Sequence, residues 1–214
     1  MHEALSIATA SSINRATLRQ QRRSLSARQQ RRAATALGQR LSQLTLFQHA
    51  RRIAYYIAND GEISPQPAID AVWKRGRLTY LPVLHPLKIK RLYFARHQAL
   101  STLRHNRFGI PEPQLGSTSL APLWTLDIIL LPLVAFDRSG NRLGMGGGFY
   151  DRSLAALNHS AMKRPLFIGL AHHCQEVTQL ESQNWDIPLN MIVTDREIIP
   201  ITPNNSAQLH QEGP

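Results

Sequence analysis

The chain has 214 residues, of which 43% are hydrophobic, enough to form one core of ordinary size. The longest apolar run, at 128–136, is too short to cross a bilayer. Glu3 and the lack of a basic stretch before an apolar run argue against a secretory signal, so we expect a cytoplasmic protein. The single cysteine, Cys174, excludes an intramolecular disulfide and a multi-cysteine metal site.

The charge is high and uneven. The formal net charge is +11, and the first 60 residues hold ten arginines against two acidic residues. Such a segment suits nucleic-acid phosphates, a membrane surface or an anionic small molecule. It lacks interleaved aromatic residues for base stacking and any recognisable nucleic-acid-binding motif. A basic nucleic-acid-binding protein is therefore kept as an alternative, and nucleic acid is not the favoured partner.

The residue pattern in the first half of the chain predicts helices before and between two strands. Apolar residues at helical spacing predict a basic helical region over 12–46, and a capping box formed by Ser26 and Gln29 predicts a break near residue 25. An apolar strand is predicted at 51–58. A helix capped by Ser64 and Pro65 and ended by Gly76 should follow, and then a strand at 78–84.

The second half predicts strands at 126–136, 165–171 and 191–195, with a helix from about Tyr150. Strands that are apolar throughout and alternate with helices are typical of a parallel sheet covered on both faces. We therefore predict an α/β fold: a mainly parallel sheet with helices on both faces, preceded by a basic N-terminal helical region.

We expect one domain and a monomer. The predicted organisation is a flexible N-terminus at 1–11, a single α/β domain at 12–202 and a disordered tail at 203–214.

The stretch "RLGMGGGFYDR" at 142–152 places four glycines within five positions, between an apolar strand and a predicted helix. In α/β proteins ligands bind outside the carboxyl ends of the strands, and glycine-rich loops direct backbone N–H groups at phosphates. The stretch lacks the lysine of a Walker A motif, and Phe149 replaces the third glycine of a dinucleotide fingerprint. The neighbouring 137–148 lacks the glycine and glutamate of a calcium loop.

The longer stretch "FDRSGNRLGMGGGFYDR" resembles the signature of the 5-formyltetrahydrofolate cyclo-ligases, also called 5,10-methenyltetrahydrofolate synthetases. Three more segments are similar to family motifs: "YYIANDGEIS" at 55–64, "FGIPEP" at 108–113 and "NWDIPLNMIVTD" at 184–195. The resemblance extends from about Arg15 to Thr194. It implies ATP- and Mg²⁺-dependent conversion of 5-formyltetrahydrofolate, with or without a polyglutamate tail, to 5,10-methenyltetrahydrofolate.

In that reaction ATP phosphorylates the formyl oxygen, N10 attacks the activated carbon, and ADP and phosphate are released. The protein must align the γ-phosphate with this oxygen and neutralise the developing charge. Another ATP-dependent phosphotransfer enzyme with the same loop is the second alternative.

The resemblance also implies the site residues. Those expected to bind ATP are Arg15, Arg19, Arg142, Leu143, Gly144, Met145, Gly146, Gly147, Gly148, Phe149 and Tyr150. Those expected to bind the folate are Ile57, Glu62, Met145, Gly146, Gly147, Gly148 and Phe149. The implied catalytic residues are Arg142, Tyr150 and Asp151, and the implied Mg²⁺ ligands are Asp151 and Asp186.

Three positions depart from the family pattern. Arg15 stands where the family usually has lysine, which keeps the charge but changes the donor geometry. Met145 and Gly147 replace basic residues found in some relatives. We expect Arg142 and Arg152 to compensate for the missing positive charge.

Overall fold

A computed structural model describes residues 14–202, apart from positions 89, 117, 158–163, 182 and 184. The predicted flexible N-terminus at 1–11 and disordered tail at 203–214 lie outside the described residues. Within the described part of the chain, every helix is too short or too polar to cross a membrane.

The central element is a seven-stranded sheet. The strands of the described chain are β1 Arg52–Ala54, β2 Leu78–Leu84, β3 Leu92–His97, β4 Leu103–His105, β5 Pro111–Pro113, β6 Ile128–Pro132, β7 Ala135–Phe136, β8 Arg142–Leu143, β9 Leu166–Ala171, β10 Met191–Thr194 and β11 Ile198–Pro200. The sheet has the order β11-β10-β9-β6-β1-β2-β3. Strands β1, β2, β6, β9 and β10 run parallel, and the edge strands β3 and β11 are antiparallel to their neighbours. Two small antiparallel pairs, β4 with β5 and β7 with β8, lie outside this sheet. The predicted mainly parallel sheet is confirmed.

The α-helices are α1 Arg15–Arg23, α2 Ala27–Gln43, α3 Thr45–His49, α4 Gln66–Lys74 and α5 Phe149–Leu154. The predicted break between α1 and α2 is confirmed, since Ser26 caps α2 and forms the capping box with Gln29. Helix α4 differs slightly from its prediction. Pro65 already has helical dihedral angles and occupies the N-cap position, while the Ser64 hydroxyl accepts a hydrogen bond from the amide of Gln66.

The sheet buries apolar side chains on both faces, because neighbouring residues of a strand point to opposite sides. Ile53 of β1 packs on the face covered by α2 and α4, and the next residue, Ala54, packs on the face covered by α5. The first face includes Leu37, Leu41, Ile69, Val72, Leu130 and Ile168. The second includes Ile129, Leu131, Leu154, Phe167 and Ile192. Helices on both faces are thus confirmed.

Two predicted strands are shorter in the structure. The strand predicted at 51–58 spans only Arg52–Ala54, and the chain beyond it turns at Asp60 and Gly61, both with positive φ. The strand predicted at 126–136 breaks at Leu133 and Val134. The carbonyl groups of these two residues accept hydrogen bonds from side chains, so the ladder does not continue through them.

Sequence patterns did not identify the strands between positions 92 and 113. The irregular stretch after β2 contains β3, which pairs with β2 over six residues, and the β4–β5 hairpin. The hairpin carries the "FGIPEP" segment at its turn and in β5.

Candidate functional site

The glycine-rich loop connects β8 to α5, and its backbone requires glycine at two positions. Gly146 has φ +86° and Gly148, the N-cap of α5, has φ +62°, a left-handed conformation that L side chains rarely adopt. A Cβ atom at Gly148 would also collide with the guanidinium of Arg152, which donates to the carbonyl of Gly147 at 2.8 Å. The loop therefore has a defined shape, and Arg152 helps to hold it.

The loop is joined to the segment that carries Asp186. Arg142 forms an ion pair with Asp151 and donates to the carbonyl of Ile187. The amide of Ile187 lies 3.5 Å from Oδ1 of Asp151. The Asp186 carboxylate accepts a hydrogen bond from the amide of Gln183 at 2.9 Å. The fold thus brings the two segments together across 35 residues of sequence, while shared metal binding by Asp151 and Asp186 stays a prediction.

Three arginines of α1 converge on Asp60. Its carboxylate accepts hydrogen bonds from Nε of Arg19 at 2.7 Å and Nη2 of Arg22 at 2.8 Å, and it also pairs with Arg23. Burial acts to raise the pKa of Asp60, but the hydrogen bonds from the three arginines outweigh it and hold the pKa well below its usual range. Asp60 is therefore an ionised anchor for this helix.

Arg22 is fully buried and connects four parts of the chain. Its guanidinium donates to the carbonyl of Asp60 at 2.9 Å and to that of Leu133 at 3.0 Å. Nη2 also lies 3.6 Å from Sδ of Met145 and 3.7 Å from Oε1 of Glu62. Through Arg22, helix α1 contacts the turn after β1, the end of β6 and the glycine-rich loop.

Glu62, in contrast to Asp60, is a carboxyl group of this cluster whose pKa is raised. Burial raises its pKa to about 7, although a hydrogen bond from the amide of Asn59 and the charge of Arg22 act in the opposite direction. Burial also raises the pKa of Tyr150 and of Tyr56, and the nearby charge of Glu62 adds to both shifts. Glu62 and Tyr150, predicted separately from distant segments, therefore share one buried environment.

The other predicted residues lie around this cluster. Arg15, the first residue of α1, is exposed. Ile57 is partly buried against the core cluster that contains α2 and α4. Met145 is about half exposed, and Leu143 packs against the apolar cluster around Val134.

Phe149 contacts a residue to which the sequence assigned no role. The rings of Phe149 and Phe108 meet edge to face, with centroids 5.7 Å apart, and Phe108 is 52% exposed. Glu112 of the "FGIPEP" segment supports this hairpin by accepting from the Leu84 amide at 3.2 Å and the Asn106 side chain at 3.0 Å.

Sequence reasoning also missed Arg22 and Asp60. Both lie in segments already singled out, the basic helical region and "YYIANDGEIS". The sequence signal for Asp60 is that it is one of only two acidic residues among the first 60, against ten arginines. Their pairing depends on the chain turning back after β1, which residue patterns do not reveal.

The glycine-rich loop, the arginines of α1 and the Glu62 turn all meet beyond the carboxyl ends of the parallel strands, at the place where α/β proteins bind their ligands. The fold and site define the class of the protein: an α/β protein with a glycine-rich loop beside a buried cluster of acidic and basic side chains.

Comparison with known proteins identifies the family. The model of the 5-formyltetrahydrofolate cyclo-ligase family matches residues 8–195. The 5-formyltetrahydrofolate cyclo-ligase of Haemophilus influenzae is 45% identical over 142 residues, which cover 66% of this chain and 74% of that protein. The Escherichia coli K12 protein of the same name is 44% identical over 149 residues, which cover 70% of this chain and 80% of that protein.

Solved structures agree with this comparison. The Aquifex aeolicus 5,10-methenyltetrahydrofolate synthetase superposes with a TM-score of 0.75 and 28% identity, covering 94% of this chain and 97% of that one. A Mycoplasma pneumoniae 5,10-methenyltetrahydrofolate synthetase, with a TM-score of 0.66, 22% identity and coverage of 85% and 96%, shares the fold. The chain belongs to the 5-formyltetrahydrofolate cyclo-ligase family and is an enzyme of that family.

Proposed function

We propose that this enzyme converts 5-formyltetrahydrofolate to 5,10-methenyltetrahydrofolate, using ATP and Mg²⁺ and releasing ADP and phosphate. Family membership supports the overall conversion. The observation that carries the proposal is the position of Arg22, whose Nη2 lies 3.6 Å from Met145 in the glycine-rich loop and 3.7 Å from Glu62. Candidate residues for the nucleotide and for the folate are therefore neighbours.

The folate binds at the Glu62 turn. A buried carboxylate beside the backbone suits the amino and ring N–H donors of a pterin, because charge-assisted hydrogen bonds are the strong ones. Ile57 and Phe149 supply apolar contact surface for flat rings, and the backbone of 145–148 completes this side of the site.

The triphosphate binds between α1 and the glycine-rich loop. Arg15 and Arg19 supply positive charge from α1, and residues 142–150 supply backbone N–H groups at the start of α5. Phosphate binding by backbone N–H groups is the role expected of a loop in which Gly146 and Gly148 adopt left-handed conformations.

The reaction begins when the formyl oxygen attacks the γ-phosphorus and ADP leaves. N10 then attacks the formyl carbon and loses its proton, and phosphate departs with the former formyl oxygen, leaving the methenyl bridge. Arg142, paired with Asp151 at the glycine-rich loop, is the residue that we propose balances charge on the transferring phosphoryl group. Tyr150, with its pKa raised by burial, keeps its proton near neutral pH and acts as a hydrogen-bond donor rather than a base.

The carboxylates of Asp151 and Asp186 fit Mg²⁺, since this hard cation prefers carboxylate and phosphate oxygens. When bound, Mg²⁺ offsets the charge of the triphosphate. Asp151 also contacts Arg142, so the same carboxylate positions the arginine proposed to balance the phosphoryl group.

The test is a spectroscopic assay of methenyl-folate formation from 5-formyltetrahydrofolate. We expect product only when ATP and Mg²⁺ are both present, with one ADP formed per methenyl group. Product without ATP, or ATP hydrolysis without a folate product, would contradict the proposal. The second outcome would favour another phosphotransfer reaction at the same loop.

A further inference from the structure

The turn that carries Glu62 contacts α1 chiefly through Asp60, whose carboxylate meets three arginines and whose carbonyl accepts a hydrogen bond from Arg22. Asp60 has φ +54°, a left-handed conformation that is uncommon for residues other than glycine and is best tolerated by Asn and Asp. Its side chain is 12% exposed and contacts Arg19, Arg22 and Arg23. The chain thus adopts an uncommon conformation at the point where the acid meets the three arginines.

The contact with Arg19 leaves most of that guanidinium available. Asp60 binds Nε of Arg19, and among the described residues the two terminal nitrogens make no other hydrogen bond. A guanidinium has five N–H donors in a fixed plane, so a carboxylate at Nε fixes the orientation of the remaining four. The side chain is 33% exposed, which leaves these donors within reach of a ligand.

Asp60 also binds Arg22, which connects it to Glu62. Arg22 is fully buried, and it donates to both the carboxylate and the carbonyl of Asp60. Its next acidic neighbour is Glu62, with 3.7 Å between Nη2 and Oε1. Removal of the Asp60 charge would leave a buried guanidinium with Glu62 as its nearest acid, which would draw the Glu62 carboxylate toward it.

We propose that Asp60 is a positioning residue for both ligands of the enzyme, an inference that rests on the function proposed above. It orients the terminal nitrogens of Arg19 for the triphosphate. Through Arg22 and the backbone of the turn, it also sets the position of Glu62 for the pterin. Loss of Arg19 therefore affects the nucleotide, loss of Glu62 affects the folate, and loss of Asp60 affects both.

The variant Asp60→Asn tests this with little disturbance of the backbone, since Asn tolerates the left-handed conformation at least as well as Asp. We expect the Michaelis constants for ATP and for 5-formyltetrahydrofolate each to rise about tenfold. The matched control is Asp70→Asn on the exposed surface of α4, where Asp70 accepts only from Gln66 among the described residues. It should leave both constants unchanged.

A double variant separates positioning from general damage to the fold. If Asp60 acts on ATP through Arg19, then Asp60→Asn in an Arg19→Ala background should raise the ATP constant no further, while the folate constant still rises. If the two residues acted independently, their effects on the ATP constant would instead multiply. Simple destabilisation would lower the amount of active enzyme without raising either constant. An unchanged ATP constant in Asp60→Asn, or multiplied effects in the double variant, would overturn the proposal.

Two further measurements keep the test decisive. If Asp60→Asn does not fold, Asp60→Glu retains the charge but moves the carboxylate by one methylene, and it should raise both constants while Asp70→Glu raises neither. Wild-type protein that forms no methenyl product would contradict the proposed function itself. Active wild-type protein with both constants unchanged in the Asp60 variants would contradict only the role of Asp60.

Discussion

Arg142 and Asp151 form an ion pair across the glycine-rich loop, with the Arg142 side chain 8% exposed. The guanidinium also donates to the carbonyl of Ile187, beside Asp186. Because Arg142 already balances the charge of Asp151, a divalent cation gains little by binding there alone. The triphosphate oxygens supply the extra negative charge, so we expect Mg²⁺ to bind much more tightly with ATP than without it.

The first prediction concerns the two proposed metal ligands. Asp151→Asn and Asp186→Asn should each reduce turnover severely, and raised Mg²⁺ should partly restore it by mass action. The double variant should be little worse than the worse single one, as expected for residues that act as a unit. Steady-state rates over a range of Mg²⁺ at fixed ATP measure this. Full activity of Asp186→Asn at limiting Mg²⁺ would remove that residue from the metal site.

The second prediction concerns Arg19. A charge-assisted contact with phosphate contributes about 1.5–3 kcal/mol, so Arg19→Ala should raise the Michaelis constant for ATP by roughly tenfold or more. The folate constant should change little, since Glu62 keeps its contact with Arg22. Arg28→Ala, on the exposed surface of α2, is the matched control. An ATP constant equal to that of the control would exclude Arg19 from the nucleotide site.

The backbone of the loop gives a third prediction. Gly148→Ala should lower the free energy of unfolding by about 1–2 kcal/mol, since alanine is strained at φ +62° and its Cβ meets Arg152. Gly144→Ala is the control, because a Cβ atom there meets open space. Chemical denaturation of both variants tests this, and equal stabilities would contradict the strained conformation at Gly148.

Sequence patterns predicted those elements whose structure depends on local chemistry. The capping box at Ser26 and Gln29 and the strand at 78–84 follow from residues close in sequence, and both are confirmed. The break after Pro132 was not predictable, because it depends on carbonyl groups that bind Arg22 and Gln175 from distant segments. An apolar run shows that a segment is buried but not where its hydrogen bonds go.

The candidate site was predictable only in part, for a related reason. The glycine-rich loop and Glu62 were found because matching motifs mark them. Arg22 stood among ten similar arginines in the first 60 residues, and only its burial distinguishes it from the others. Which arginine is enclosed depends on how α1 packs against the turn after β1, a long-range contact that no local pattern encodes.

The last prediction follows from the raised pKa of Glu62, which is about 7 against an ordinary value of 4.5. Below about pH 4.5 the carboxyl group is protonated in both the folded and unfolded states, so it costs no stability. As pH rises toward 7, the unfolded chain ionises first and binds fewer protons than the native state, so the free energy of unfolding falls by about 3 kcal/mol in total. Above about pH 7 the group is ionised in both states, so the free energy of unfolding falls no further on its account.

Glu62→Gln lacks this titration, so its stability relative to the wild type should improve from pH 4.5 to 8 by about 3 kcal/mol. Urea denaturation of both proteins at several pH values measures the difference, and parallel stability curves would contradict the raised pKa. Because pterin donors favour the ionised form, folate binding near pH 6.5 should also release protons. Calorimetry in buffers of different ionisation enthalpy detects this release, which should be absent in Glu62→Gln if Glu62 is the group that titrates.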